Sequence, residues 1–163
     1  MHVRPAPVTI LFMCTANSCR SVLSEALFNH LAPPGYSAVS SGSFPSGRLN
    51  AQALQTLLDL GVSTEGLYSK DSSAFADSPP DIVITVCDKA AGEACPVYFG
   101  PAIKSHWGLA DPSDVDGSLT QKQAAFDATV GKIKQRFSAF FALDLNSLSD
   151  AELKTELDRI GAL

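Results

Sequence analysis

The chain has 163 residues, a formal net charge of −5 and 18% charged residues, a composition typical of one ordinary globular domain. The acidic balance argues against a nucleic-acid-binding protein, because such proteins carry basic surfaces. No apolar run reaches the ~18 residues of a membrane span, and the N-terminus lacks the cleavage site of a signal peptide. We therefore expect a cytoplasmic protein with no membrane partner. In that reducing compartment its four cysteines should be catalytic, redox-active or metal-binding rather than disulfide-bonded.

The first half of the chain alternates strand-like and helix-like segments. After residues 1–7, an expected flexible tail, the sequence VTILFMC (Val8–Cys14) has the length of a buried parallel strand. Leucines then recur at steps of four from residue 23, which predicts an amphipathic helix that ends at the Pro-Pro-Gly sequence. A second strand is predicted over YSAVSSG (Tyr36–Gly42). The following sequence AQALQTLLDLG predicts a helix, whose inward-facing residues would be Leu54, Leu57 and Leu58.

The second half continues the same alternation. DIVITVC (residues 81–87) predicts a third buried strand, and residues 88–117 form a long loop of the kind that is usually functional, with a short strand near Ile103–Trp107. Apolar residues at steps of four and three predict a long helix over residues 120–143. The sequence SDAE has the spacing of a capping box, so we interpret residues 144–163 as an accessory tail with a short helix. The alternation predicts an α/β domain over residues 8–143, with a mostly parallel sheet between helices.

The segment CTANSCRS carries the clearest functional signal. Cys14 ends the first predicted strand, and Arg20 opens the first predicted helix after five intervening residues. In parallel α/β sheets, ligands bind at the carboxyl ends of the strands, where helix N-termini point. Backbone N–H groups and the helix dipole there favour both an oxyanion and a thiolate, and Arg20 adds a planar cationic fork. The pattern therefore indicates a nucleophilic cysteine inside a cradle for a tetrahedral anion, rather than a buried structural cysteine.

The other residues of this loop have more limited expected roles. Ser21 can donate its hydroxyl hydrogen to the Cys14 sulfur, and Asn17 suits a tight loop because asparagine tolerates a left-handed backbone. Cys19 lies in the loop, but we interpret its side chain as a packing residue. The predicted substrate-binding loop consists of Thr15, Ala16, Asn17, Ser18, Cys19, Arg20 and Ser21.

This loop and several later segments resemble the low-molecular-weight protein tyrosine phosphatase family, in particular its arsenate reductase branch. The later segments are SEA directly after the loop, VSSG, DIVITVCD and HWGLADPSD, so the resemblance covers residues 8–143. It implies a three-layer α/β/α fold with a four-stranded parallel sheet, in agreement with the alternation described above. It also implies that Asp111, in ADPSD, is the general acid that protonates the departing oxygen.

The two branches share nucleophile, loop and acid, so the remaining cysteines distinguish them. A phosphatase needs one nucleophilic cysteine, because water hydrolyses its phosphoenzyme, whereas a reductase delivers two electrons and needs further thiols. Cys87 ends a predicted strand at the same sheet edge as Cys14, and Cys95 follows in a loop of small residues. Ser113 and Asp114 stand where the phosphatase branch carries aromatic residues, which also favours the reductase. The resemblance thus implies that Cys14, Cys87 and Cys95 form a thiol relay that reduces arsenate to arsenite for arsenic detoxification.

The resemblance also bears on partners and cofactors. It implies thioredoxin as the reductant, but Cys87 and Cys95 are one residue further apart than in typical thioredoxin-coupled members, so glutathione with glutaredoxin stays open. Ala16 also stands where many relatives have glycine. Phosphate and sulfate are expected to compete with arsenate. No tightly bound cofactor is expected, although a potassium ion stabilises the loop in some relatives. Its ligand positions here would be Asn17, Glu25, Ser69 and Asp71.

Two other functions stay open at this point. One is a small phosphatase that acts on phosphotyrosine or other phosphomonoesters, and hydrolysis of an aryl phosphate would favour it. The other is a non-catalytic oxyanion-binding or redox-sensing module, which anion binding without turnover or thiol loss would favour. A zinc site built from the four cysteines is disfavoured, because the sequence contains no Cys-x-x-Cys pair.

Overall fold

The computed structural model describes residues 8–87 and 101–163 and contains a four-stranded parallel sheet. Its strands are β1 (Val8–Cys14), β2 (Tyr36–Gly42), β3 (Ile82–Thr85) and β4 (Ile103–His106). The α-helices in the described residues are α1 (Arg20–Leu31), α2 (Ala51–Asp59), α3 (Leu119–Phe141) and α4 (Asp150–Gly161). Within residues 8–87 and 101–163, no helix has both the length and the hydropathy to cross a membrane. The predicted α/β architecture with a parallel sheet is confirmed.

The order of the strands places a ligand site between β1 and β3. The sheet has the order β2-β1-β3-β4, so the chain moves to one side of β1 first and to the other side afterwards. Such a reversal leaves a crevice at the carboxyl ends of the two central strands, where α/β proteins bind ligands. The register aligns Cys14 with Gly42 on one side of β1 and Met13 with Thr85 on the other. The ends of β1, β2 and β3 therefore meet at one edge of the sheet.

A cluster of aromatic rings packs on one face of this sheet. Phe28 of α1 lies 5.9 Å from Phe12 of β1 and 5.2 Å, edge-on, from Phe137 of α3, measured between ring centroids. All three rings are fully buried, so this cluster fixes α1 and α3 against the strand that carries Cys14. The buried face predicted for α3 is confirmed, and it consists of Phe126, Val130, Ile133, Phe137 and Phe140.

One part of the α2 prediction is wrong. Leu58 is 55% exposed, whereas Leu57 is fully buried together with Ala53. Adjacent residues of a helix point about 100° apart, and the small Ala53 and Thr56 form the inward face on which α2 rests. The positions of the leucines alone predicted that Leu58 would be buried. That prediction fails because the small residues form part of the surface with which α2 contacts the rest of the protein.

The helix in residues 144–163 belongs to the same hydrophobic core as the sheet. Its capping box is present, since Ser149 and Glu152 exchange side chain–backbone hydrogen bonds at the start of α4. Helix α4 packs on the edge strand β4, and the indole nitrogen of Trp107 donates a 2.8 Å hydrogen bond to the carbonyl of Leu157. The residues of α4 that are buried in this contact are Leu153, Leu157 and Ile160.

The close approach of α4 to β4 depends on Gly161. A Cβ atom at Gly161 would lie 2.4 Å from the carbonyl oxygen of His106 and 2.6 Å from the Trp107 ring, so Gly161→Ala must push the helix away. We expect this substitution to lower the free energy of unfolding by about 1–3 kcal/mol in denaturant titrations. Gly131→Ala in the middle of α3 is the matched control, because a Cβ there meets no atom within 4 Å. It should instead raise stability by up to ~1 kcal/mol, and equal effects of the two variants would contradict this packing.

Candidate active site

The loop of residues 14–21 connects β1 to α1 and turns its N–H groups inward. Its carbonyl oxygens accept hydrogen bonds from the segment after β2: Phe44 N–H donates to Thr15 at 2.9 Å, Ser46 N–H to Ala16 at 3.0 Å and Asn50 N–H to Ser18 at 2.8 Å. Because the N–H of a planar peptide points opposite to its C=O, these bonds direct the next N–H groups to the other side of the loop. The arrangement is that of an anion-binding nest at a helix N-terminus.

Asn17 holds the loop in this shape. It is fully buried and has the left-handed backbone expected for this position, with φ of 47°. Its side-chain amide donates to the hydroxyls of Ser21 at 2.9 Å and Ser40 at 3.0 Å, while its carbonyl accepts from the Lys70 N–H at 2.9 Å. Because Ser21 accepts from Asn17, its own hydroxyl hydrogen is directed to another partner.

Gly42 allows the loop to lie against the end of β2. A Cβ atom at this position would lie 2.4 Å from the carbonyl oxygen of Thr15 and 2.8 Å from the amide nitrogen of Asn17, both of them backbone atoms of the loop. These atoms cannot move without distorting the nest. Any larger residue at the glycine of the VSSG segment would therefore clash with the loop, which precedes it by more than twenty residues.

Arg20 and Asp111 face each other across the site. The guanidinium donates from Nη1 to the Leu109 carbonyl at 3.0 Å, and its Nη2 lies 3.5 Å from Oδ2 of Asp111. The Nε of Arg20 is buried and has no hydrogen-bond partner among the described residues, which leaves a donor for a bound oxyanion. The other carboxylate oxygen of Asp111 accepts from the N–H and the hydroxyl of Ser113, at 2.9 and 2.6 Å, so Oδ2 is the oxygen that faces the loop.

Cys14 and Cys87 lie in direct contact. The Val86 N–H donates to the Met13 carbonyl at 2.9 Å, which extends the pairing of β1 and β3 and places Cys87 beside the end of β1. The two thiols share a hydrogen bond, and Oγ1 of Thr15 lies 3.4 Å from the Cys87 sulfur. Both cysteines are buried and neither is in a disulfide. Cys95 lies outside the described residues.

The contact with Cys87 changes the ionisation of the nucleophile. The hydrogen bond with Cys87 and burial raise the pKa of the Cys14 thiol, while the Arg20 guanidinium and the Thr15 N–H act in the opposite direction. Burial also raises the pKa of Cys19, to about 12, and the side chain of Cys19 belongs to the core cluster. The largest effect on the pKa of Cys14 is its hydrogen bond with Cys87, whereas the largest effect on the pKa of Cys19 is burial. A bound anion that changes the Cys14–Cys87 contact therefore changes the reactivity of Cys14.

The four residues expected to bind potassium do not present a free set of oxygen ligands. The Asn17 carbonyl accepts from Lys70, and Ser69 donates to the Ala16 carbonyl at 3.0 Å. One oxygen of Glu25 accepts from Ser40 at 2.6 Å and lies 3.8 Å from the Lys70 ammonium. Asp71 is engaged by Ser73 in an exposed turn. Residues 8–87 and 101–163 also hold no cluster of three or more His, Cys, Asp or Glu side chains that fits a metal ion. These side chains already make hydrogen bonds or an ion pair within the protein, and potassium binding at this position stays a prediction.

Three residues around the loop were missed by sequence reasoning. Ser40 and Lys70 hold Asn17 from two other segments of the chain, and Arg136 of α3 donates to the carbonyls of Gly108 at 3.0 Å and Gly161 at 3.1 Å. Arg136 therefore fixes the chain one residue before the carbonyl that holds Arg20. A signal existed only for this residue, since it lies three positions after Ile133 on the buried face of α3.

The chain matches the family described as low molecular weight phosphotyrosine protein phosphatase over residues 9–158. It belongs to this family. Within it, the chain is similar to the arsenate reductase of Bacillus licheniformis, with 31% identity over 136 residues that cover 81% of this chain and 94% of that protein. The arsenate reductase of Shouchella clausii is 28% identical over 131 residues, which cover 80% of this chain and 93% of the other.

Solved structures of arsenate reductases have the same fold. A structure of an arsenate reductase in the phosphate-binding state superposes with a TM-score of 0.67 at 26% identity, covering 82% of this chain and 96% of the other. The thioredoxin-dependent arsenate reductase Cg_ArsC1' of Corynebacterium glutamicum gives a TM-score of 0.63 at 24% identity, covering 83% of this chain and 63% of that chain. These likenesses confirm the three-layer α/β/α class predicted from the sequence.

The Cys14–Cys87 contact predicts a shift in the reactivity of Cys14. Since the hydrogen bond with Cys87 raises the pKa of Cys14, Cys87→Ala should lower that pKa and move the pH profile of Cys14 alkylation to lower pH. Iodoacetamide labelling with peptide mass spectrometry measures the profile for Cys14 alone. Cys19→Ala is the control, and it should leave the midpoint in place. A profile that stays in place or moves to higher pH in Cys87→Ala would contradict the contact.

Proposed function

We propose that this protein is an arsenate reductase that converts arsenate to arsenite by thiol exchange. The observation that carries the proposal is the contact of two buried thiols, Cys14 and Cys87, at the opening of an anion-binding loop. Phosphoryl transfer in this fold requires only the first thiol, whereas the reduction of arsenate requires a second thiol within reach of the first. The names of the Bacillus and Shouchella relatives support the same function.

Arsenate is bound in this proposal by the inward N–H groups of residues 15–19 and by Arg20. The buried Nε of Arg20 supplies a donor, and its two terminal nitrogens can leave Leu109 and Asp111 for oxyanion oxygens. The net charge of −5 does not attract an anion, so the attraction comes from the Arg20 guanidinium and from the start of α1. Phosphate and sulfate, which have the same tetrahedral shape, compete for the loop.

The first step forms a bond from sulfur to arsenic. The Cys14 thiolate attacks arsenic, and a hydroxyl group of arsenate takes a proton from Asp111 and leaves as water. Asp111 is held by Ser113 through one oxygen, which leaves the other to carry the proton toward the loop. The Thr15 N–H and the Arg20 guanidinium stabilise the thiolate form of Cys14 before the attack.

The second step transfers the electrons. The Cys87 thiolate attacks the Cys14 sulfur, a disulfide forms, and the sulfur–arsenic bond breaks with its electron pair left on arsenic, which departs as arsenite. Together the two sulfur atoms lose two electrons, and arsenic gains them. The contact of the two thiols in the reduced protein means that this attack needs little movement.

Regeneration uses Cys95 and an external dithiol. The Cys95 thiolate attacks Cys87, which forms a Cys87–Cys95 disulfide and returns Cys14 to its thiolate. A dithiol protein of the thioredoxin type then reduces this disulfide in a reducing compartment such as the cytoplasm, and the thioredoxin-dependent enzyme of the same fold supports this choice over glutathione with glutaredoxin.

The Cys95→Ser variant tests the order of the relay. It should release about one arsenite per protein molecule in a single turnover and then stop, since Cys87 can attack Cys14 but no thiol can release it. Arsenite is measured by chromatography with elemental detection, and peptide mapping should show a Cys14–Cys87 disulfide.

Two control variants separate the steps. Cys14→Ser should release no arsenite, and Asp111→Asn should slow the single turnover by about 10²–10⁴-fold because it removes the acid but leaves the thiols. Sustained turnover of Cys95→Ser with a thioredoxin system would contradict the relay. Rapid hydrolysis of an aryl phosphate without arsenite release by the wild type would instead support a phosphatase.

A further inference from the structure

A lysine ammonium lies beneath the anion loop. Lys70 Nζ is 3.8 Å from Oε1 of Glu25, and the two side chains are only 8% and 12% exposed. The ammonium also donates to the Tyr68 carbonyl at 2.8 Å and lies 4.2 Å from the centre of the Tyr68 ring. A charge pair this buried persists only when hydrogen bonds and packing hold both members. The Lys70 ammonium is therefore held in a fixed position by the Glu25 carboxylate and by the carbonyl and ring of Tyr68.

The two residues of this ion pair are connected to opposite ends of the Asn17 amide. On one side the Lys70 backbone N–H donates to the Asn17 carbonyl at 2.9 Å. On the other side the Asn17 amide donates to Ser40 at 3.0 Å, and Ser40 donates onward to Glu25 at 2.6 Å. The carboxylate that orients Ser40 is the one that Lys70 pairs with. Lys70 thus contacts Asn17 directly through its backbone, and its side chain is connected to Asn17 through Glu25 and then Ser40.

An inorganic cation next to Glu25 would compete with this ammonium. The carboxylate oxygen that faces Lys70 also accepts from Ser40, and the neighbouring Ser69 hydroxyl donates to the Ala16 carbonyl. A monovalent ion at that position would bring a second positive charge close to Lys70 in a poorly hydrated place, where like charges repel strongly. The site has one positive charge and one carboxylate, and their charges already balance.

We propose that the Lys70 ammonium is the built-in cation that positions the anion loop through Glu25, Ser40 and Asn17, and that the protein needs no potassium ion. Lys70 is a positioning residue in this account, because its ammonium contacts neither the anion nor the reacting sulfur atoms. The proposal rests on the proposed function only in assigning oxyanion binding to the loop. It does not depend on arsenate reduction.

The first experiment uses the wild-type protein and inorganic phosphate. Protection of Cys14 from iodoacetamide by increasing phosphate gives a dissociation constant without any turnover. We expect the same constant in lithium, sodium and potassium chloride at equal ionic strength, because the cation is covalently attached. A phosphate affinity that rises about tenfold in potassium would overturn the proposal. A protein that binds phosphate in this way but does not reduce arsenate would contradict the proposed function alone.

The second experiment removes the charge. Lys70→Met keeps most of the side-chain volume, and it should weaken phosphate binding about tenfold in sodium or lithium, as expected when one member of a buried hydrogen-bonded network is lost. Potassium should restore most of that affinity, because the space beside Glu25 can then accept an ion. A structural loss alone would not respond to the identity of the cation. Lys132→Met on the exposed side of α3 is the matched control. It should leave the dissociation constant for phosphate unchanged in all three salts.

The remaining outcomes are also decisive. If Lys70→Met binds phosphate as Lys132→Met does, or is weakened equally in all three salts, Lys70 does not act as the cation of the loop and the proposal fails. If Lys70→Met does not fold, Glu25→Gln takes its place, since it removes the charge that Lys70 pairs with while keeping an acceptor for Ser40. Phosphate affinity in Glu25→Gln should then fall about tenfold and show no potassium response. Unchanged affinity there would contradict the network.

Discussion

The parallel pairing of β1 with β3 is the interaction on which the site depends. Its last bond, from the Val86 N–H to the Met13 carbonyl, fixes where Cys87 follows β3 relative to where Cys14 ends β1. A shift of one residue in this register would turn every side chain of β3 to the opposite face and separate the two thiols. The chemistry proposed for the protein therefore follows from a backbone register, and the buried apolar sequences of the two strands specify that register.

The anion loop is shaped from outside rather than by its own sequence alone. Its carbonyls are held by the segment after β2, its tight turn lies against Gly42, and Asn17 is fixed by Lys70 and Ser40. On the opposite side, Arg136 and the end of α4 hold the chain that leads to Asp111. A loop whose N–H groups already point inward needs little reorganisation when an anion binds, so the free-energy cost of that reorganisation is small. This explains why residues from so many elements converge on a short segment.

The sequence was sufficient for features that depend on local order. The spacing from Cys14 to Arg20 placed the loop between a strand and a helix, and the apolar steps of α3 identified its buried face. Features that depend on distant contacts could not be read in this way. Glu25 and Lys70 are separated in sequence by the rest of α1 and by the whole of β2 and α2, and nothing in either local sequence indicates a buried ion pair. Lys70 lies between two of the expected potassium-ligand positions, Ser69 and Asp71, and its local sequence gives no sign that its side chain is buried.

The most direct measurement is a count of free thiols in the fully reduced wild-type protein, before and after excess arsenate and without any partner protein. The account predicts the loss of two of the four thiols and one arsenite released for each pair, with the disulfide mapped to Cys87 and Cys95. Retention of all four thiols, under conditions where phosphate protects Cys14 from alkylation, would contradict it. The protein would then bind oxyanions in the same loop without reducing arsenate.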